Sequence, residues 1–287
     1  MAKKQINVSE VKVEKIDIES SFGKYDLVPH LEELNIYESI FSNHLQAHIT
    51  LNDAYNIPYK LPIVGEEIID CKIKMEGDSG EDKDYRIVNP PNLHVHELLD
   101  RYKLVDPDTG LGPAQMQRFS LNFVSEQYIS NFHSRISKSY RDWTIGDIVE
   151  DIYNNYLDDD KGFLNIQDTA RTENIIIPNW HPHDAFNWLA RRAQPTDSVA
   201  VNYVYYETID GSHFVSLESL SRVDTVLSII QTPRESDPHK IEGLTGNFIK
   251  ADDISFIANN NKIKNISRGQ YASKLITHDI LTKQIAQ

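Results

Sequence analysis

Cysteine is almost absent from this 287-residue sequence: Cys71 stands alone, so no internal disulfide can form, and assembly in a reducing compartment is expected. Glycine and proline are sparse too, at 12 each, which excludes collagen-like and low-complexity chains. No apolar run approaches the roughly 18 residues needed to cross a bilayer, so no membrane span is expected. The opening Met1-Ala2-Lys3-Lys4-Gln5-Ile6-Asn7 is basic but lacks the apolar stretch of a signal peptide. Basic residues fall short of acidic ones: 29 Lys and Arg against 43 Asp and Glu leave a net charge of −14. Clustered phosphate contacts need Lys and Arg, so ordinary nucleic-acid binding is disfavoured.

Enough apolar material is present for real cores. Hydrophobic residues make up 40% and charged ones 25%, a globular balance, and the length allows about two domains. The first 125 residues read as strands. Val11 to Ile18 alternates apolar and polar, as does Leu45 to Leu51, the period of a half-buried strand. Leu34 to Phe41 is a less regular example. Leu61 to Gly65 is a turn-like break before a strand from Ile68 to Met75. Gly77 to Asp84 is a polar loop, Tyr85 to Val88 and Leu93 to Leu104 are further strands, and Asp106 to Pro113 is dense in turn residues. Phe119 to Val124 then closes a hairpin. Short strands with turns between them point to a barrel or sandwich.

The period changes between residues 140 and 195. Thr144-Ile-Gly-Asp147 resembles a capping box. Ile145, Ile148, Val149, Ile152, Tyr153, Tyr156 and Leu157 then follow helical spacing over three turns. Asp158 to Asp160 falls in a loop, because acids oppose a helix C-terminus. Ile175 to Ile177 reads as a short buried strand. Trp180 to Ala193 reads as a helix, with Pro182 in a first helical position, Asp184 in the first turn, Phe186, Leu189, Ala190 and Ala193 buried, and Arg191 and Arg192 at the end. Val201 to Tyr206 and Phe214 to Leu217 return to strand, with Asp210-Gly211 as a hairpin signal. The tail from Ser267 to Gln287 looks extended.

Few residues suggest chemistry. His94 and His96 lie two apart on a strand and could share a metal, but no third ligand can be assigned, and a solvated strand face explains them better. His181 and His183 flank Pro182, where helix entry accounts for them as well as a ligand role does. Asp158 to Asp160 lacks the glycine and distal glutamate of a calcium loop. Cys71 reads as a small core residue. Trp143, Trp180 and Trp188 read as a core between helix and sheet rather than a stacking platform. There is no phosphate-cradling glycine loop and no serine elbow. No catalytic, cofactor-binding or metal-binding residue is therefore assigned, and no cofactor is expected.

Several segments do carry a resemblance. Val13 to Phe22, Leu31 to Phe41, Leu61 to Ile68, Phe119 to Glu126, Arg135 to Tyr140, Ile176 to Trp180, Asp184 to Ala193, and Gly269-Gln-Tyr-Ala-Ser273 with His278-Asp279 stand in an order similar to the baseplate central hub proteins of contractile-tailed bacteriophages. The similarity runs from about residue 13 to 280. No single motif is mechanistic; their order and number carry the identification. The resemblance implies a fold like that of VgrG-type proteins: mainly β, with two related β-barrel domains joined by a helical α/β segment. On this chain that gives a first barrel over residues 8–128, an α/β segment over 129–200 and a second β domain over 201–287. The family usually continues past the Gly-x-Tyr-Ala-Ser region, whereas this chain stops at Gln287, so the expectation is a second barrel that is incomplete or finished by a partner strand, or a short or trimmed version of the protein.

The implied function is structural rather than enzymatic. Such a hub is a homotrimeric, pseudo-sixfold ring that adapts the tail tube to the central spike. Its expected partners are itself, a trimeric spike protein, tail tube or tube-initiator proteins and baseplate wedge proteins, with DNA only as passing cargo. It would be assembled in the host cytoplasm and reside in the virion baseplate. The net charge fits a lumen that repels phosphate. Two other functions compete. A carbohydrate- or receptor-binding tail module is suggested by the 14 tyrosines and the β-rich ends. A metal-dependent cell-wall hydrolase would rest on the His-x-His pairs and the abundant carboxylates, and ranks last.

Overall fold

The computed structural model describes residues 11–76, 85–88, 92–104, 116–157, 164–197, 201–223, 228–231, 248–251, 261–267 and 276–286, with the single positions 90, 255 and 274. The loops expected at Gly77–Asp84 and Asp106–Pro113, and the acidic run Asp158–Asp160, lie outside them. The chain divides into two compact units: residues 7–224 form one, and residues 225–287 make up most of the other.

The larger unit opens with eight strands in one antiparallel sheet: β1 (Val11–Ser20), β2 (Gly23–Asp26), β3 (Leu31–Tyr37), β4 (Gln46–Asp53), β5 (Ile68–Glu76), β6 (Tyr85–Val88), β7 (Leu93–Lys103) and β8 (Gln117–Ser125). Their order is β2-β1-β5-β7-β8-β4-β3, with β6 also on β5. The two outer strands, β2 and β3, are neighbours in the chain, joined through a 3-10 turn at Val28–His30. That turn ties both ends of the sheet together. The Leu27 amide donates to the Ile16 carbonyl of β1 at 2.8 Å, and the His30 Nδ1 lies 3.1 Å from the Asn52 carbonyl of β4. No ladder joins β2 to β3, so the sheet stays open, and none of the sheets among the described residues closes into a barrel.

Alternation in β4 and β8 turns Leu45, Ile49, Leu51, Phe119, Leu121 and Phe123 into a common core with Ile16 and Ile18 of β1. β3 ends earlier than its apolar pattern suggests. Ile40 and Phe41 lie past the strand and are exposed, because the chain turns there, with Ser39 accepting the Ser42 amide. Three ladder irregularities, in β7 and in the later strands Ile136–Thr144 and Thr172–Trp180, carry Asp100, Asp142 or Asn179 with φ between 49° and 57°. Asp and Asn tolerate that left-handed backbone better than other side chains, which is why bulges can sit there.

At the end of β4, Asp53 is fully buried and accepts the amides of Tyr55 (2.7 Å) and Ile57 (2.6 Å) and the Gln117 side-chain amide (2.8 Å). It turns the chain into the short helix α1 (Ile57–Lys60). Asp53→Asn keeps the shape but removes the charge from three hydrogen bonds. A loss of about 1–2 kcal/mol is expected, read from the urea midpoint. An unchanged midpoint would show that the charge contributes nothing.

The second half of this unit mixes helix and strand: α2 (Glu126–His133), β9 (Ile136–Thr144), α3 (Ile145–Ile152), β10 (Leu164–Ile166), β11 (Thr172–Trp180), α4 (Pro182–Ala190), β12 (Tyr203–Thr208), β13 (Gly211–Ser216) and α5 (Leu217–Ser221). β9 and β11 form a two-stranded ribbon. β10 runs parallel to β13, which pairs antiparallel with β12 across a hairpin whose loop is Ile209-Asp210. A second core gathers Ile136, Tyr140, Ile148, Val149, Ile152, Ile175, Ile177, Phe186, Leu189, Tyr205 and Phe214. Ile175 and Ile177 are buried as expected, but Ile176 between them is 73% exposed. The ribbon covers the core on one face only, so the apolar run alternates rather than burying throughout.

α3 starts as its sequence predicts: the Thr144 hydroxyl accepts the Asp147 amide at 3.1 Å. Gly146 packs closely: a Cβ there would lie 3.3 Å from the Ile166 Cγ2, which would have to give by a few tenths of an ångström. Thr144→Ala removes the cap and is expected to cost about 1 kcal/mol, seen as a lower melting temperature. Thr144→Ser should retain most of it, and equal losses for both would exclude capping as the cause. Beyond Ile152 the helix widens into a π turn over Tyr153–Leu157, where the Asn155 side chain donates to the Asp151 carbonyl at 2.7 Å.

In the smaller unit, β14 (Ser228–Gln231) and β15 (Phe248–Ala251) pair in parallel. α6 (Lys262–Ser267) and the hairpin of β16 (Thr277–Asp279) with β17 (Gln284–Ala286) follow. The tail expected to be extended therefore contains a hairpin, preceded by a helix.

Candidate functional site

The two cores of residues 7–224 meet along a seam of histidines and aromatic rings. α2 follows β8 without a break, and its Tyr128 stacks on His44 with ring centroids 3.8 Å apart. Tyr128 also lies 6.4 Å from His183 on α4, and His183 lies 5.7 Å from Tyr205 on β12. A row of rings thus runs from the start of β4 to the second core.

Polar contacts fix the seam. The buried Glu207 carboxylate accepts the Leu45 amide at 2.8 Å and the Ser125 hydroxyl at 2.5 Å. A buried carboxylate is tolerable only when so satisfied. Asn43 donates to the Tyr205 carbonyl at 3.1 Å, and Glu38 accepts the Ile209 amide at 2.7 Å. Further in, Gln127 of α2 donates to the Ser212 hydroxyl at 2.8 Å and accepts from the Tyr205 hydroxyl at 2.8 Å.

The histidines of the sequence motifs have separate roles here. His181 precedes α4, and its Nδ1 lies 2.9 Å from the Asn131 carbonyl and 3.0 Å from that of Ser134. The Asn131 side chain in turn accepts the His183 amide at 2.8 Å. This pair docks the start of α4 on the end of α2. His94 and His96 are less alike than a metal pair requires. The ladder shifts between Val95 and Glu97, so His96 sits exposed at an irregularity while His94 is half-buried. Among the described residues, no group of three or more His, Cys, Asp or Glu is placed to hold a metal.

Burial pushes the His183 imidazole down to about 3, with His44 adding to the effect. His44 is lowered by burial and then by His96, and His94 by burial against an opposing pull from Glu126. The Nε2 atoms of His94 and His183 have no hydrogen-bond partner among the described residues. Desolvated imidazoles of this kind stay neutral at pH 7. A cavity of about 220 Å³ opens beside the seam, lined by Tyr37, His44, His48, His96, Asn122 and Tyr128. His48 is held there by Asn122, 2.7 Å from its Nδ1.

A second concavity of about 480 Å³ lies against α3, lined by Asp142, Trp143, Asp147, Glu150 and Asp151 among others. Asp151 accepts from Lys138 at 2.6 Å and from the Tyr140 hydroxyl at 2.8 Å. Burial, then Asp151, hold the Tyr140 phenol well above its usual range, so it donates and cannot serve as a base. Trp143 is 40% exposed here, contrary to the expected core position, because it ends β9 where the chain leaves the ribbon for α3. Trp180 and Trp188 do pack edge to face at 5.4 Å against the second core. Cys71 is buried in β5, and burial raises its thiol to about 11, too high for a nucleophile.

Sequence reasoning had singled out the histidines at 94, 96, 181 and 183. It missed His44, Tyr128, Asn131 and Glu207, whose partners lie far away in the chain and leave no local spacing to read.

No family model matches the sequence, and no curated protein matches it either. Solved structures do resemble the fold. The 43 kDa tail protein of prophage MuSo2 from Shewanella oneidensis aligns at a TM-score of 0.47 with 12% identity, covering 76% of this chain and 58% of that one. The tail protein from Neisseria meningitidis MC58 aligns at 0.47 with 10% identity, covering 77% and 56%. The half-lidded PdpA–VgrG complex of Francisella aligns at 0.42 with 13% identity, covering 90% and 46%. The chain thus spans about half the length of these structures, which are a prophage tail protein, a tail protein and a VgrG complex.

Proposed function

We propose that the chain is a structural virion protein, a baseplate hub of a contractile phage tail. Three copies form a pseudo-sixfold ring between tail tube and spike, contacted outside by wedge proteins, and DNA passes through the lumen. The observation that carries this reading is the order of the hub-like segments from Val13 to Ala193. They fall on β1, β3, the loop into β5, β8, β9, β11 and α4, which are framework elements throughout. What they share with hub proteins is therefore scaffold, as expected where assembly is the function. On this reading residues 8–128 and 201–287 are two related β domains, and residues 129–200 join them. In these two concavities the described residues bring no nucleophile and base together, and we propose no catalytic step from them.

Negative-stain images of the purified protein, alone and with a cognate spike, test the proposal. Rings of three copies with the spike on one end are expected. Single copies at high concentration and in virions would refute it. A basic lumen would remove the proposed part of the acidic charge in letting DNA pass.

A further inference from the structure

The structural role gives no task to the cavity of about 220 Å³ beside the seam. Its floor is the outward face of the sheet. Tyr37 of β3 lies opposite Gln46 of β4, and one row along His48 lies opposite Asn122 of β8. Strand alternation puts Gln46 and His48 on the same side, away from the buried Ala47 and Ile49. The wall is α2, whose Tyr128 stacks on His44, and His96 enters from the irregularity in β7. The polar groups are held in place. Asn122 accepts from the His48 Nδ1 at 2.7 Å and donates to Glu97 at 3.0 Å. The Gln46 side-chain amide lies 2.7 Å from the His44 Nε2, and an amide N–H must donate, so the His44 proton sits on Nδ1. Side chains fixed in this way suit a preformed binding site.

The lining selects a ligand by charge. Among the described residues it includes no Lys or Arg, so a phosphate or carboxylate would enter without a counter-ion. It includes no Asp or Glu either, and His44, lowered by burial and then by His96, adds no positive charge at pH 7. A metal finds no ligand set, since Asn122 and Thr50 lie against the two His48 nitrogens and Gln46 against the His44 Nε2. A neutral ligand fits, with hydroxyls for the amides and imidazoles and C–H faces for the tyrosine rings, which is the chemistry of a sugar. The volume lies below the roughly 300–1,000 Å³ of a drug-sized pocket, so one ring fills it. Next to Tyr128, the ring of Phe132 lies edge to face at 4.8 Å and is 56% exposed, a second platform one ring away from the cavity wall. We propose that the cavity binds one neutral hexose unit of a polysaccharide, with the next unit lying over Phe132. Tyr37, 54% exposed, is the platform in the cavity, and the Gln46 amide bonds the hydroxyls. The site is additional to the structural role and does not depend on it.

The full chain is titrated with glucose, galactose, mannose and N-acetylglucosamine, and with a tetramer of each, followed by saturation-transfer NMR. At least one single sugar is expected to bind with a Kd of about 1 mM, and its tetramer about tenfold more tightly. Tyr37→Ala and Gln46→Ala should each weaken both about tenfold, while Tyr37→Phe keeps the platform and binds like wild type. Phe132→Ala should weaken the tetramer alone. The three side chains are exposed, so the melting temperature should not move. Absence of binding by every sugar up to about 10 mM would overturn the inference, and so would binding that both cavity variants leave unchanged. Equal weakening of single sugar and tetramer in Phe132→Ala would overturn the second platform. A saturable response to zinc chloride or choline chloride in place of the sugars would overturn the inference in favour of a cation. Ring formation is read separately, from the images, so the two proposals fail independently.

Discussion

Replacing Phe186 with alanine will lower the stability of residues 7–224 by about 3–5 kcal/mol, the cost of emptying a buried aromatic site. Phe186 is fully buried on α4, with its ring 4.4 Å from that of Tyr205. α4 has nine residues, too few to persist in water on its own, so its order comes from the apolar face it buries. That face includes Ala185, Leu189 and Ala190, but none of them has the volume of Phe186. The void would open beside Tyr205, whose hydroxyl donates to Gln127 of α2, so the damage reaches the seam. Urea unfolding monitored by tryptophan fluorescence measures the loss. Phe186→Leu should cost less than half as much, because a leucine still fills most of the site. A loss under about 1 kcal/mol for Phe186→Ala would mean that the site collapses without penalty and that α4 is held some other way.

Much of the local structure was legible because it depends on neighbours in the chain. The stripe from Ile145 to Ile152 and the Thr144–Asp147 cap declare α3 within a dozen residues. The alternation of Leu45 to Leu51 declares β4 and its buried side. Where sequence reasoning failed, a competing interaction lay outside the pattern. Tyr153 to Leu157 continues the apolar period, yet the Asn155 amide takes the Asp151 carbonyl and the turn widens. Ile175 to Ile177 is apolar at three consecutive positions, but with only one side of the ribbon covered, Ile176 faces out.

The seam was not legible at all. Glu207 reaches Leu45 across 162 positions, and His181 reaches Asn131 across 50. Neither separation has a period, and Glu207 in isolation looks like any other of the many acids. The same long-range contacts give the His-x-His spacing its meaning. His181 and His183 are two apart because one caps the junction with α2 while the other is driven into the core, not because a metal holds both.

That burial sets the pH response. His183 is nine-tenths buried and neutral, facing the rings of Tyr128, Phe186 and Tyr205 and the nearby His44, while its amide is held by Asn131. Among the described residues, only aromatic rings and His44 face it, and none of them can stabilise the imidazolium as an acid would. Its folded value of about 3 lies below the ordinary 6.5, so the unfolded chain binds a proton that the folded one refuses. The stabilisation from neutral His183 is complete above pH 6.5 and is lost as pH falls from there toward 3. Each unit of pH in that window costs about 1.4 kcal/mol, giving about 2 kcal/mol by pH 5 and about 3 by pH 4. His44 and His94 are lowered too, so they add to the loss in the same direction. His183→Phe keeps a ring against Tyr205 and has no proton to bind. Its unfolding free energy should fall less steeply between pH 7 and pH 4, with the difference from wild type growing by about 2 kcal/mol or more. Parallel pH profiles for the two proteins would show that His183 titrates normally and that the seam admits water.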